Sequence, residues 1–556
     1  MMNSHLTDQK VADNLRILSL SMVEQAQSGH PGGAMGAAEF IHVLYSEFLR
    51  FHPGKPEWHA RDRFFLDPGH MSPMMYSILA LLGKYSMEDL RRFRSWGSVT
   101  PGHPERDIRR MIENTSGPLG QGHAMAVGSA IAERFLVARF GSVAEHKTVA
   151  FISDGGIQEE ISQGAGRIAG FLGLSNLIMY YDANQVQLST RVDEVTCEDT
   201  AAKYKAWGWK VYTINGNHSG EIRKVLTAAW NETEAPVLII GNSIMGKGIL
   251  NSREEPMEGL TSTHGQPISK AGADVELTIR SLGGNPREPF RIFDEVKEFY
   301  QQVISRKTRE AEEIMAIEKE WEEARPVQAR HLRETLMGKI PSLPWEEIGL
   351  KPDAATRATS AEILSFLGKH LDNMLVMSAD LANSDRTDGF LKHQQPIRKG
   401  HFEGGFLHAG VSELTMAALA NGMALHGGII PVCGTFFVFS DYMKPAIRLS
   451  ALMELPVIYI WSHDAFRVGE DGPTHQPVEQ ETQIRLMEQV KNHSGNRSFL
   501  ALRPADAAET LAAWRLALET PNRPTGMILS RQNVPSLKAP SGTERLSQAF
   551  EIRKGA

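Results

Sequence analysis

The sequence predicts an α/β protein whose parallel sheets are flanked by helices and divided between two lobes. Three features predict it: short apolar runs alternating with amphipathic helical stretches, a charged and proline-marked break in the middle, and a second set of apolar runs beyond it. Buried runs separated by helices argue for parallel strands covered on both faces.

The first lobe opens on Val11, Leu15, Leu18 and Met22, whose helical spacing predicts a buried helix face. Its candidate strands are Thr148–Ser153, Leu177–Asp182 and Val237–Gly241. From about residue 285 the composition shifts. The stretch Arg306–Glu323 is strongly charged, and Pro341, Pro344 and Pro352 follow closely, as at a boundary between domains. A second α/β region begins near Thr356, with Met374–Ser378, Gly428–Cys433, Val457–Trp461 and Thr525–Ser530 as strands. The expected division is therefore residues 1–285, a helical linker over 286–352, a second domain over 353–545, and 546–556 as the start of something further.

At 556 residues, 42% hydrophobic and 22% charged, the chain has the composition of a globular protein with a sizeable core. Its formal charge of −7 gives no global field for nucleic acid or anionic membrane, so an anionic substrate must be met by a local cluster of cations. The two cysteines, Cys197 and Cys433, form no metal-ligand spacing and allow at most one disulfide, which suits a reducing cytoplasm. Asp8, Lys10, Asp13 and Arg16 interrupt any signal-peptide apolar core.

Chemistry is concentrated first at Thr148-Val-Ala-Phe-Ile-Ser153 followed by Asp154-Gly155-Gly156 and a helix from about Ile157. Two glycines at a strand-to-helix turn let backbone approach a ligand, and a helix N-terminus offers free N–H groups to a phosphate. Asp154 and Asn184 lie 30 residues apart, about one strand–helix–strand unit, so both are expected at carboxyl ends of parallel strands. A carboxylate, an amide oxygen and the nearby Val186 carbonyl suit a hard cation shared with phosphates. Taken alone, Asp154 could equally be a helix cap, and the Gly117-Pro-Leu-Gly-Gln-Gly122 loop only a tight turn.

Set in order, further motifs give these residues a context. They are Ser28-Gly-His-Pro-Gly-Gly33, Gly69-His70, Thr100-Pro-Gly-His-Pro104, Gly117–Gly122 and Asp154 with Asn184. The second half adds Ala379-Asp-Leu381, Glu413, Thr435-Phe436, Gly469-Glu-Asp-Gly-Pro-Thr-His-Gln-Pro-Val-Glu479 and Ile528-Leu-Ser-Arg-Gln-Asn533. From about residue 10 onward the chain resembles the transketolases. The resemblance implies two thiamine-diphosphate-binding-type domains, a diphosphate-binding one and a pyrimidine-binding one. It implies thiamine diphosphate with Mg²⁺ or Ca²⁺, a homodimer with active sites at the subunit interface, and phosphorylated sugars as substrates. The activity implied is reversible two-carbon ketol transfer in the non-oxidative pentose phosphate pathway.

Carried over residue by residue, the resemblance implies that Asp154, Asn184 and the Val186 carbonyl hold the metal. Gly155, Gly156, His70, His264, Gly117 and Leu119 would meet the coenzyme's diphosphate side. Glu413 would sit against the pyrimidine nitrogen, with Phe436, Phe439 and Tyr442 around the ring. His30, His103, His264 and His475 would handle protons at the reacting carbons, as imidazole does near neutral pH. Asp471 would bind a substrate hydroxyl, and Arg357, Ser384, His463 and Arg531 the phosphate, for which arginine's planar fork is suited. Without the resemblance, Glu413 reads as a solvated charge opening a helix, the aromatics as core, and either arginine as a surface ion pair.

The chain departs from the family's commonest pattern at Ser153, at Glu160, at His123 after Gly122, at Leu414-Thr415 after Glu413, and in an extra stretch at Leu486–Ser498. Transketolases usually carry a third, C-terminal domain, and its absence is expected here, with a separate chain supplying it as one explanation. Dihydroxyacetone-synthase-like acceptor choice and a catalytically silent homologue stay open beside ketol transfer between sugar phosphates. Deoxyxylulose-phosphate synthase is disfavoured by His30, His103 and the Gly469–Glu479 motif.

Overall fold

The computed structural model describes residues 4–537. Residues 546–556, expected to open a further domain, lie outside the described residues. The chain divides into two compact units, the first made of residues 1–126 and 143–324 and the second of 127–142 and 325–556.

The first unit is built on a five-stranded parallel sheet: β1 (Arg63–Leu66), β2 (Thr148–Ser153), β3 (Leu177–Asp182), β4 (Lys210–Asn215) and β5 (Val237–Asn242). Their order is β1-β2-β3-β5-β4. Every residue of β2 and β3 is buried, which is why these segments are continuous apolar runs. The edge strand β4 is only partly buried, and its sequence mixes Lys210 and Thr213 with apolar residues. Helix α1 (Ser4–Ala26) buries Val11, Leu15, Leu18 and Met22, as its spacing requires. The charged segment beyond 285 forms a single 31-residue helix, α2 (Asp294–Ala324). Val296, Tyr300, Val303 and Ala311 are buried on one face of α2. Lys307 donates to the Glu47 carbonyl at 3.1 Å, and the Trp58 indole donates to Glu318, so α2 is packed into the first unit along its length.

The second unit carries a six-stranded parallel sheet: β6 (Met374–Ser378), β7 (Phe406–His408), β8 (Ile430–Phe436), β9 (Ile458–Ser462), β10 (Leu500–Leu502) and β11 (Thr525–Ile528). Its order is β10-β11-β9-β8-β6-β7. Helix α3 (Glu413–His426) follows β7 and is buried almost all round. Among the described residues no helix is long and apolar enough to cross a membrane. Both cysteines are free, Cys433 inside β8 and Cys197 exposed.

Candidate active site

In the first unit the carboxyl ends of β2 and β3 deliver Asp154 and Asp182. Ser153 caps the short helix Asp154–Gln158, its Oγ accepting the Gly156 N–H at 3.4 Å. Asp154 is therefore not the cap. Its Oδ1 accepts the Tyr181 hydroxyl at 2.5 Å and its Oδ2 the Gln185 N–H at 2.9 Å. Burial, reinforced by the Asp182 charge, pushes the Asp154 carboxyl up to about 7 despite these donors. Asn184 donates its amide N–H to Asp182 Oδ2 at 2.9 Å, which orients its Oδ1 as an acceptor, used at 3.0 Å by the Val186 N–H.

These residues face a cavity of about 340 Å³ lined by His30, His70, Leu119, Asp154, Gly155, Asn184, Val186 and His264, among others. Three imidazoles form one wall, with ring centroids 5.1 Å apart for His30 and His70, 5.8 Å for His30 and His264, and 5.5 Å for His70 and His264. Burial first, then the neighbouring imidazoles, lowers His30 to about 4 and drives His70 well down. Burial lowers His264 to about 4, opposed by the Val186 carbonyl beside it. The Nδ1 atoms of His30 and His264 are buried without a hydrogen-bond partner.

Among the described residues no cluster of three or more His, Cys, Asp or Glu side chains could hold a metal ion. Asp154, Asn184 and the Val186 carbonyl are a different kind of set, one carboxylate with two neutral oxygens, which suits a hard cation that also draws ligands from a phosphate. A buried carboxylate raised this far is relieved by a divalent cation. The residues present fit such a cation and a phosphorylated coenzyme.

The two glycines after Asp154 have different reasons to be glycine. A Cβ on Gly155 would meet only Leu119 Cδ1, at 3.0 Å, so its smallness keeps the cavity floor open. A Cβ on Gly156 would stand 2.4 Å from Asp67 Oδ2 and 2.7 Å from Ile152 Cγ1. Gly156 is thus small because of the protein's own packing, and neither it nor Gly117 lines the cavity. His103 is exposed, and its charge neighbour is Arg94.

In the second unit Glu413 opens α3 and is 9% exposed. Burial raises its carboxyl, opposed by its own backbone N–H and by Thr435 beside it. The aromatic group expected around a ring is assembled at the end of β8. Phe436 stacks with Phe439 at 5.9 Å and lies 3.7 Å from the His463 ring, while Phe439 lies 5.4 Å from His475 and 6.2 Å from Tyr442. Arg357 donates from Nη1 to the Ser384 carbonyl at 2.6 Å, and Arg531 pairs with Glu470. Burial, then the charges of Arg386 and Arg531, lowers Arg357 to about 10, while Asp385 and Asp471 pull the other way. His463 falls to about 3 through burial and then Arg357 and Arg531. Left-handed backbone at Asp380, Arg386, His463, Ala465 and Arg467 clusters around these strand ends. Such strain gathers where surrounding structure holds side chains for a task.

Three residues that the motifs did not single out belong with these groups: Asp67, Arg94 and Arg386. Asp67 had a usable signal, an acidic residue directly after the short apolar run Phe64–Leu66, hence at a strand's carboxyl end. Arg94 and Arg386 had none, because their roles depend on what folds against them.

Two parallel α/β units, each gathering polar and aromatic side chains at strand carboxyl ends, have the architecture of thiamine-diphosphate-binding domains. The comparisons agree. Residues 7–341 match the family model "Transketolase, thiamine diphosphate binding domain", and residues 353–536 match "Transketolase, pyrimidine binding domain". The chain is 39% identical to a transketolase of Geobacillus stearothermophilus over 569 residues, covering 100% of this chain and 81% of the relative. It is 40% identical to one from Halalkalibacterium halodurans, with the same two coverages. Among solved structures, Leishmania mexicana transketolase aligns with a TM-score of 0.89 at 33% identity, over 96% of this chain and 78% of that one. A Pichia stipitis transketolase solved with sedoheptulose 7-phosphate aligns with a TM-score of 0.89 at 31% identity, over 99% of this chain and 81% of that one. The chain belongs to the transketolase family.

Proposed function

We propose that this protein transfers a two-carbon ketol unit from a ketose phosphate to an aldose phosphate, as a transketolase of the non-oxidative pentose phosphate pathway. The observation that carries the reading is the first-unit cavity, where a buried carboxylate pushed up to about 7 faces two imidazoles with unpaired Nδ1 atoms.

Asp154, Asn184 and the Val186 carbonyl would hold Mg²⁺ or Ca²⁺, and Leu119, Gly155, His70 and His264 would lie against the diphosphate side of the coenzyme. When bound, thiamine diphosphate supplies the carbon nucleophile that attacks a ketose carbonyl. Glu413, its carboxyl raised by burial, would face the coenzyme's pyrimidine nitrogen, with Phe436, Phe439 and Tyr442 placed around the ring. His30 and His264 are lowered to about 4, so each offers a substrate hydroxyl one ring nitrogen that can accept its proton and one N–H that can donate a hydrogen bond. His103 and His475 extend this set along the sugar. Asp471 accepts from a substrate hydroxyl, and a sugar lacking that hydroxyl leaves the carboxylate unmatched. Arg357, Arg531, Ser384 and His463 take the phosphate, with the arginine forks supplying most of the attraction.

The reading includes a homodimer in which the second unit of one copy serves the first unit of the other. Sedimentation of the protein with coenzyme and Mg²⁺ reads this directly. The test of function is calorimetric titration with thiamine diphosphate and Mg²⁺, followed by a coupled assay with xylulose 5-phosphate and ribose 5-phosphate, then with formaldehyde as acceptor. Coenzyme binding with turnover of ribose 5-phosphate is expected, and loss of turnover in Glu413→Gln. Turnover with formaldehyde alone would reassign the acceptor, and coenzyme binding without turnover would make the chain a silent homologue.

A further inference from the structure

Arg94 lies beside the histidine-bearing loops of the first unit, on a loop outside the motifs set out above. Its backbone is left-handed, φ 60°, a conformation uncommon for a residue with a side chain, and its N–H donates to the Thr100 carbonyl at 3.0 Å. From there the guanidinium reaches two histidine-bearing loops at once. Nη1 donates to Ser28 Oγ at 2.9 Å, two residues before His30. The rest of the fork lies on Gly102, one residue before His103. A Cβ on Gly102 would stand 2.7 Å from Arg94 Nε, 2.9 Å from Cζ and 3.1 Å from Nη2. Gly102 has no left-handed φ, and the space a side chain would take there is filled by the Arg94 guanidinium.

Besides the Ser28 hydroxyl, the guanidinium meets the Phe93 ring, its Cζ 5.6 Å from the ring centroid. Among the described residues it makes no ion pair with a carboxylate, and its Nε is buried without a hydrogen-bond partner. A half-buried guanidinium without a carboxylate partner gains only modest stability from one hydroxyl and one aromatic ring.

We infer that Arg94 is a positioning residue that braces the loop carrying His30 against the loop carrying His103 and so sets the spacing of these two imidazoles. What the imidazoles do rests on the ketol-transfer reading; the bracing does not. The fixed charge acts in the same direction as the geometry. His30 is lowered to about 4 by burial first and then by His264, Arg94 and His103, and His103 is lowered by burial and then Arg94. The guanidinium thus disfavours the protonated form of both. A lysine cannot replace this brace, since one ammonium does not present a planar fork to two loops.

The test uses the full chain with Arg94→Gln, Arg94→Lys, Gly102→Ala and the Arg94→Gln/Gly102→Ala double variant. The first readout is the rate of diethyl pyrocarbonate modification at each histidine, resolved by peptide mass spectrometry, with the exposed His408 as internal reference. His30 and His103 should change rate by at least about threefold in Arg94→Gln, in Arg94→Lys and in Gly102→Ala, with His408 unchanged. Gly102→Ala should add nothing in the Arg94→Gln background, because the clash it creates is with the missing guanidinium. The second readout is kinetic: kcat for ketol transfer should fall by about tenfold or more, while KM for the sugars and the affinity for thiamine diphosphate stay within about twofold. Histidine rates unchanged in Arg94→Gln, or additive effects in the double variant, would overturn the inference. Altered histidine rates in a chain without ketol transfer would sustain the brace and sink the proposed function instead.

Discussion

Asp67 Oδ2 accepts the Gly120 backbone N–H at 3.0 Å, which ties the end of β1 to the loop that carries Leu119 to the cavity wall. The other oxygen of the same carboxylate accepts the His123 N–H at 3.1 Å, in the first turn of the helix Gln121–Phe140. N–H groups that a helix N-terminus could offer a ligand are therefore already taken by the protein. Asp67 also occupies the space that a side chain on Gly156 would need. One buried carboxylate thus sets the spacing of both glycine-bearing turns, and it tolerates burial because burial and its N–H donors, pulling oppositely, leave it only raised to about 6.

Replacing Asp67 with alanine should leave the Gly120 and His123 N–H groups buried and unmatched, at a cost of about 1–3 kcal/mol each at most. Urea unfolding should show that loss. Calorimetry should show weaker thiamine diphosphate binding, because the Leu119 loop is no longer held at its wall. Coenzyme affinity equal to that of the parent would show that the loop is fixed without Asp67.

Gly155→Ala and Gly156→Ala should separate, although the residues are adjacent. The added methyl at 156 meets Asp67 and Ile152 within the protein, so the expected effect is a stability loss of about 1–3 kcal/mol. At 155 the methyl meets only one flexible leucine methyl and otherwise enters the cavity. That variant should melt close to the parent temperature and bind thiamine diphosphate at least about tenfold more weakly. The reverse pattern would mean that Gly156, and not Gly155, faces the coenzyme.

The strands legible in the sequence were those buried on both faces. β2, β3 and β6 appear in the chain as uninterrupted apolar runs with the ends the structure gives them. The run expected over Gly428–Cys433 starts later, at Ile430, and continues to Phe436, because Gly427 and Gly428 both adopt left-handed backbone. β1, β4, β7 and β10 leave no such run in the sequence. β1 has four residues and opens on a buried arginine, β7 and β10 have three each, and β4 is a half-exposed edge without a continuous apolar pattern. In the site, Asp154 and Asn184 were legible because strand ends are. The grouping of His30, His70 and His264 was not readable from spacing, since 20 histidines are scattered along the chain and three distant loops bring these together. Asp67 and Arg94 act through glycines of other segments, Gly120 and Gly156 for one and Gly102 for the other, a relation that exists only after folding.

His123 should make stability fall on acidification. It is fully buried, neither ring nitrogen has a hydrogen-bond partner, and burial lowers it from the ordinary 6.5 to about 3. Between those values the unfolded chain binds a proton that the folded chain refuses, so stability rises with pH through this window and is lost as pH falls. The full effect is on the order of 5 kcal/mol. His123→Leu should flatten the pH dependence of denaturant midpoints between about pH 6.5 and 3. At neutral pH it should add about 1–3 kcal/mol, since an unpaired buried polar ring is replaced by an apolar side chain. An unchanged slope would mean that the ring is hydrogen-bonded in solution.

Arg357 should matter for phosphorylated sugars and little for others. Its guanidinium is held at the Ser384 carbonyl with Arg386 and Arg531 as its nearest like charges, and among the described residues only Arg531 of the three has an ion-pair partner, Glu470. Like charges gathered at strand ends repel one another, and a phosphate dianion between them turns that repulsion into attraction. Arg357→Ala should therefore raise KM for ribose 5-phosphate by about tenfold or more, with kcat less affected. KM for unphosphorylated ribose should move by less than about twofold, because that sugar makes no such contact. Arg386→Ala should act in the same direction but more weakly, since its side chain is exposed and better screened. Raising ionic strength should shrink the difference between the two sugars for the parent and leave little to shrink in Arg357→Ala. Equal losses for both sugars would instead place Arg357 in the scaffold of the second unit, supporting the Ser384 turn and not the substrate.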